Sequence, residues 1–401
     1  MREFQIIYQS LHQYCPELHA KRLKTLITAS EALFNSKTLT LTQLGRHIGG
    51  KTHTKHNIKR IDRLLGNHHL HYERAAVYRW QASMICHSTM PVILVDWADI
   101  REIQRLMVLR ASVALSGRSV TLYERTFTLE EHNTDKVHKR FLKELASVLP
   151  QGCVPLIVTD AGFKNPWFRA VEQQGWFWLS RVRGVIHYTD TKRDNWKPIS
   201  TLQKKATSRS RYLGLCRLTS SNPITCGIYL YRAKIKGRKN QRSTVTNSNH
   251  QGSAFYSQAA KEGWILATNL PASRFTPAQM VKLYSKRMQI EETFRDLKSP
   301  AYGFGLRQSR SRCPKRFDIM LLIALVLQLV LWWVGLVAKE KGWHRHFQAN
   351  TVQTRNVLSA IRLGSEVLRH HRYHLRKRDL LRGASLFLRE IRKNGDVLAF
   401  L

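Results

Sequence analysis

Two apolar runs in this chain end in an acid, Val92-Ile93-Leu94-Val95-Asp96 and Leu156-Ile157-Val158-Thr159-Asp160. Open sheets build sites where a buried strand gives way to a loop, and each run places a carboxylate there. Either acid alone reads as readily as a turn cap closing its strand. Against 66 Lys and Arg the chain has only 27 Asp and Glu, and that scarcity makes the pair informative. Two carboxylates side by side raise each other's pKa unless a cation lies between them. Oxygen ligands of this kind suit hard divalent cations of the magnesium type, which keep positions open for phosphate. Such a site calls for a third carboxylate.

The segment YSKRMQIEETFRDLK supplies candidates. A helix is expected from about residue 277 to 298, with Thr276 as its cap and Pro277 in its first position. Leu283, Ile290, Phe294 and Leu297 mark its buried stripe. At about 100° per residue, Tyr284, Arg287, Glu291 and Lys298 share one border of that stripe, while Glu292 and Asp296 lie near the opposite side. Glu291 can then face a sheet while Glu292 faces water. The same acids also read as partners of nearby Arg and Lys at short helical spacing.

The elements needed to position these residues are legible around them. PVILVDWADI, RLMVLRASVAL and RSVTLYERTF read as strands, the last two joined by a tight Ser116-Gly117 hairpin. An amphipathic stretch from 135 to 149, the strand VPLIVTD, a short helix near 166 to 174 and the strand WFWLSRVRG follow. The order β-β-β-α-β-α-β describes a ribonuclease-H-like α/β core, in which the first strand lies beside the fourth and would bring Asp96 close to Asp160.

The flanks differ in texture. Residues 1–88 read as an all-α unit, with LTLTQLGRHIGGKTHTKHNIKRIDRLLGN in helix-turn-helix order or as a plain helical pair with a basic face. Residues 89–184 hold the first part of the core, 185–263 a β-rich insertion, 264–310 the second part with the Glu helix, and 311–401 a helical C-terminal region. Ile319 to Ala338 is long and apolar enough to cross a membrane, but basic residues flank it on both sides, which favours a helix buried in the core. The six cysteines show no metal-ligand spacing and read as reduced thiols. No secretory signal is apparent, and a cytoplasmic, nucleoid-associated protein with no membrane role is expected. The formal charge of +39 calls for a polyanion partner.

Tyr-x-x-Arg-x-x-x-Glu-x-x-x-x-x-x-Lys, filled by Tyr284, Arg287, Glu291 and Lys298, together with VDWADI and VTDAGF, resembles the signature of DDE-class bacterial insertion-sequence transposases of the Tyr-Arg-Glu-Lys group. The resemblance implies that Asp96, Asp160 and Glu291 ligate two Mg2+ ions, with Mn2+ able to substitute. It implies that Tyr284, Arg287 and Lys298 grip phosphates beside the scissile bond. Trp264, in GWILATNL, matches the position that stacks a flipped base in such enzymes; as the first residue of an apolar strand it also reads as ordinary core. The basic run of the insertion, with Lys234, Lys236, Arg238, Lys239 and Arg242, has the charge of a phosphate-tracking loop. The partners implied are double-stranded DNA, both the element's inverted-repeat ends and target DNA, with two protein copies in the synaptic complex. A structure-specific nuclease on the same fold would use the same carboxylates without strand transfer, and a repressor derived from such an enzyme would bind DNA without cutting it.

Overall fold

The structure, a computed structural model, describes residues 2–86, 90–101, 105–191, 195–233, 262–301 and 303–397. The chain divides into two compact units, Met1–Pro155 with Met288–Ala399, and Leu156–Arg287 with Phe400–Leu401. The first unit opens with five helices, α1 (Arg2–Tyr14), α2 (Ala20–Ser36), α3 (Leu41–Arg46), α4 (Thr54–Leu65) and α5 (His68–Ile85). Thr40 caps α3, its hydroxyl accepting from Gln43 N at 3.4 Å. Gly45 lets α3 lie against α4: a Cβ there would meet Ile58 Cα at 2.6 Å. Ile61, Leu64 and Leu65 then turn inward from α4.

β1 (Val92–Arg101), β2 (Leu106–Ala114) and β3 (Ser119–Thr128) form an antiparallel run in the order β3-β2-β1. The β2–β3 hairpin closes where Leu115 N donates to Arg118 O at 2.7 Å, with Gly117 at φ 79°, so Ser116-Gly117 is the two-residue turn expected. α6 (Asp135–Val148) packs on β3 and α5 through Val137, Phe141, Leu142 and Leu145.

The second unit begins with β4 (Leu156–Thr159), α7 (Asn165–Glu172) and β5 (Phe177–Arg181), and β5 runs parallel to β4. α7 covers this pair, Phe168 stacking on Trp178 with ring centroids 4.1 Å apart. β6 (His187–Asp190), β7 (Lys197–Pro198), α8 (Ser200–Lys205), β8 (Arg211–Leu218), β9 (Ile224–Tyr231) and β10 (Trp264–Thr268) follow. Within the unit the order is β4-β5-β10-β9-β8-β6-β7, so the β-rich stretch after β5 extends the same sheet by way of β10. α9 (Pro277–Ser285) starts in a capping box between Thr276 and Gln279 and packs on β8 and β9.

The chain then returns to the first unit with α10 (Met288–Lys298), α11 (Pro314–Glu340), α12 (Ala360–Arg369) and α13 (Lys377–Asn394). The single helix expected over residues 277–298 is therefore two. Lys286 N and Arg287 N donate three residues back, to Leu283 O and Tyr284 O, and this tight turn ends α9 before α10 begins. α11 contains the long apolar segment, and its most apolar window is entirely buried. α2, α4, α5, α12, α13 and β3 pack around it. Three glycines permit that closeness: a Cβ on Gly335 would lie 1.8 Å from Ala360 O, on Gly364 2.2 Å from Leu331 O, and on Gly383 2.5 Å from Trp333 O. Asp318, buried on α11, pairs with Arg74 of α5 at 3.1 Å and accepts from Thr126 N of β3 at 2.8 Å.

Candidate active site

Asp96 lies within β1, directly opposite Arg110 of β2, which is in turn opposite Glu124 of β3. Cross-strand neighbours share a face, so a row of acid, base and acid runs across the three strands. Arg110 and Glu124 are almost fully buried and bonded to each other, with Arg110 Nη2 2.5 Å and Nε 2.8 Å from Glu124 Oε2. Asp96 is 9% exposed, and its Oδ1 accepts from Trp97 N at 2.9 Å.

α10 packs on all three strands. Phe294 sets its ring against Arg110, 4.6 Å from the guanidinium carbon, and Thr293 Oγ1 accepts from Ser119 N at 2.9 Å. Ile290, Phe294 and Leu297 are buried, as the helical spacing predicts. Lys298, at the end of α10, has its ammonium 5.8 Å from the Phe294 ring. Burial, followed by nearby Arg307, lowers its pKa, while Asp99 and Asp96 oppose that shift. The structure thus brings Lys298 to Asp96. Asp99 was not singled out in the sequence, because strand alternation turns it away from the face of Asp96.

Glu291 is half-buried in the first turn of α10. Glu292, expected to face water, instead reaches Arg118 of the β2–β3 hairpin at 3.3 Å and pairs with Arg295. Asp296 joins the same Arg118 at 2.6 Å. These two acids anchor the helix to the hairpin, and the wheel, which knows only one helix, carries no signal for a cation supplied by another element.

Asp160, Trp264, Tyr284 and Arg287 belong to the second unit. Asp160 follows β4, and its Oδ1 accepts from Gly162 N at 2.8 Å in an Asx turn. Its main-chain oxygen is held by Ser180 Oγ of β5 at 2.9 Å. Gly162 is needed there, since a Cβ would sit 2.9 Å from Asp160 Oδ1. Trp264 opens β10, half-buried, edge-on to Tyr284 at 5.1 Å and to Tyr231 at 5.8 Å. Tyr284 is 4% exposed, and burial pushes its hydroxyl up to about 12, with Arg287 and Arg181 working the other way and Asp160 adding to the rise. Arg287 bonds to the Tyr284 hydroxyl from the turn after α9. Because the helix breaks at 286–287, Tyr284 does not continue the helical face that carries Glu291 and Lys298.

Among the described residues no three His, Cys, Asp or Glu side chains converge as a metal cage. Magnesium is ordinarily held by one or two carboxylates together with substrate phosphates, so carboxylates on strand ends suit it without such a cage. The basic run with Lys234, Lys236, Arg238, Lys239 and Arg242 lies outside the described residues. In the first unit, Lys21 and Arg22 of α2 and Lys59, Arg60 and Arg63 of α4 line an open basic groove of about 600 Å³.

An α/β protein with this charge, carrying acids on strand ends and a cation-rich helix, is of the class that processes nucleic-acid backbones. The transposase DDE domain family matches residues 87–329, and the chain belongs to that family. No curated protein matched the chain. Family membership makes it a transposase, an enzyme of the polynucleotidyl transferase and endonuclease class that acts on DNA. Domains of this family imply a ribonuclease-H-like fold and generally use divalent metal ions.

Proposed function

We propose that this chain is a cut-and-paste transposase of a bacterial insertion sequence, belonging to the Tyr-Arg-Glu-Lys group, with Asp96, Asp160 and Glu291 as its metal-holding acids. Long segments, among them DWADIREIQRLMVLRASVAL and YSKRMQIEETFRDLKSPAYG, resemble the transposase of a composite tetracycline-resistance transposon. The observation that carries the reading is the family match over residues 87–329, which spans all three acids. The juxtaposition of Lys298 with Asp96 adds to it.

Two Mg2+ ions, replaceable by Mn2+, would supply Lewis-acid activation of the attacking and leaving oxygens. The chain's own residues do the rest. Lys298 places a cation beside Asp96, where a phosphate oxygen gains charge during in-line attack. Burial keeps Tyr284 protonated, so it serves as a hydroxyl donor rather than a base. Trp264 exposes part of an indole on which an extruded base can stack. The groove between α2 and α4 offers five Lys and Arg side chains to the phosphates of the element's ends. Nicking, closure of a hairpin at the element's end, hairpin opening and joining to target DNA would follow, with two copies pairing the ends.

The test incubates purified protein and magnesium with a supercoiled plasmid carrying both ends, with Asp160→Asn alongside. Excised element with hairpin ends from wild type alone is expected. Shifted DNA without cleavage would refute the catalytic assignment, and cleavage without joining would favour a nuclease on the same fold.

A further inference from the structure

The second unit contains an open cavity of about 230 Å³ that none of the residues discussed so far explains. Phe163, Phe168, Val182 and Ile186 give it apolar walls, and Lys164 and Arg183 stand among its lining residues. It begins at Ala161, the residue bonded to Asp160, while Trp264, Tyr284 and Arg287 take no part in it. Its volume is below the roughly 300 Å³ at which drug-sized ligand pockets begin. A single flat ring system fits such a space better than a whole nucleotide.

The loop between β5 and β6 adds a second feature. At its tip Gly184 takes φ 93°, and Val185 is 98% exposed, the most exposed large apolar side chain among the described residues. The side chain next to it, Ile186, turns into the cavity wall. A bare valine costs solvation that a soluble surface has no reason to bear. Apolar wedges of this size enter base steps and unstack them, and an extruded base needs an apolar slot with polar handles close by. Arg183, half-exposed beside the wedge, and exposed Lys164 provide cations for the flanking phosphates. Arg181 Nε, also at the cavity, is buried with no hydrogen-bond partner among the described residues.

We propose that Val185 wedges into a DNA duplex and that the adjoining cavity takes the single base it extrudes, a base site separate from Trp264. The proposal rests on the reading of the chain as a DNA-cutting transposase and places this second base next to the Asp160 loop.

Full-length protein is mixed with duplexes bearing 2-aminopurine at successive positions across the cleavage point of the element's end, and with a matching target-DNA series. Wild type should brighten the probe at one position where the signal survives in Trp264→Ala. Val185→Ser and Ile186→Trp, the latter filling the cavity from its rim, should each cut that rise about threefold or more, with DNA affinity by anisotropy held within about twofold. The series that brightens identifies end or target DNA as the source. No position surviving Trp264→Ala, or a rise unchanged in both variants, would overturn the proposal. Magnesium-dependent nicking by wild type is scored in parallel, so its absence would strike the transposase reading while the fluorescence still reports on base capture.

Discussion

Replacing Arg110 with methionine tests how the sheet beneath Asp96 is held. Arg110 is 1% exposed, bonded twice to Glu124, and covered by Phe294. Methionine keeps much of the contact with Phe294 but leaves the Glu124 carboxylate, itself 1% exposed, with no cation at its side. Breaking a buried pair by removing one partner costs about 3–5 kcal/mol, because the remaining charge is stranded in a medium that cannot solvate it. For a unit of this size each kcal/mol moves the melting temperature by about 2–4 °C, so Arg110→Met should melt about 6–20 °C lower. Converting both partners, Arg110→Met with Glu124→Met, removes the stranded charge and should restore most of that loss. Scanning calorimetry on the two variants reads both numbers. A single variant melting within about 2 °C of wild type, or a double variant less stable than the single, would refute the account, since neither is compatible with a dry ion pair.

Other perturbations follow from close approaches and buried rings. Gly335→Ala places a methyl 1.8 Å from Ala360 O and should cost about 1–3 kcal/mol or more, read as a lowered melting temperature. Gly162→Ala pushes against the Asp160 carboxylate; magnesium-dependent nicking should fall about 100-fold, as for an Å-scale misplacement, with DNA binding by gel shift unchanged. Burial lowers His138 to about 4 from an ordinary value near 6.5, so the folded state takes up its proton later than the unfolded chain. That stability is full above about pH 6.5 and is lost as pH falls toward 4, by about 3 kcal/mol at most. His138→Phe should flatten this part of the stability profile, and an unchanged slope in acid would refute it.

The strands and their acids were legible because burial in a sheet leaves a plain signature: VILVD and LIVTD are uninterrupted apolar runs, and Ser116-Gly117 is turn chemistry. The buried stripe of α10 was legible for the same reason. What escaped depends on partners distant in sequence. Whether Glu292 faces water is decided by Arg118. The end of α9 is decided by a turn at 286–287 that contains neither glycine nor proline, so helical periodicity runs through it unmarked. Ile319 to Ala338 satisfies every compositional test for a membrane span, and only the helices around it reveal the burial.

That helix also sets the timing of synthesis. Ser30 of α2 donates its hydroxyl to Ile323 O, across 293 positions of chain. At about 5–20 residues per second a ribosome needs roughly 15 to 60 s to supply the second partner after the first. Throughout that interval α2 holds out an apolar face with nothing to close against. A chain released before α12 and α13 are made would carry α11 with much of its hydrocarbon surface uncovered. The N-terminal helices therefore acquire their final packing only when the protein is nearly finished, and a message cut short upstream yields material for chaperones and proteases rather than a working fragment.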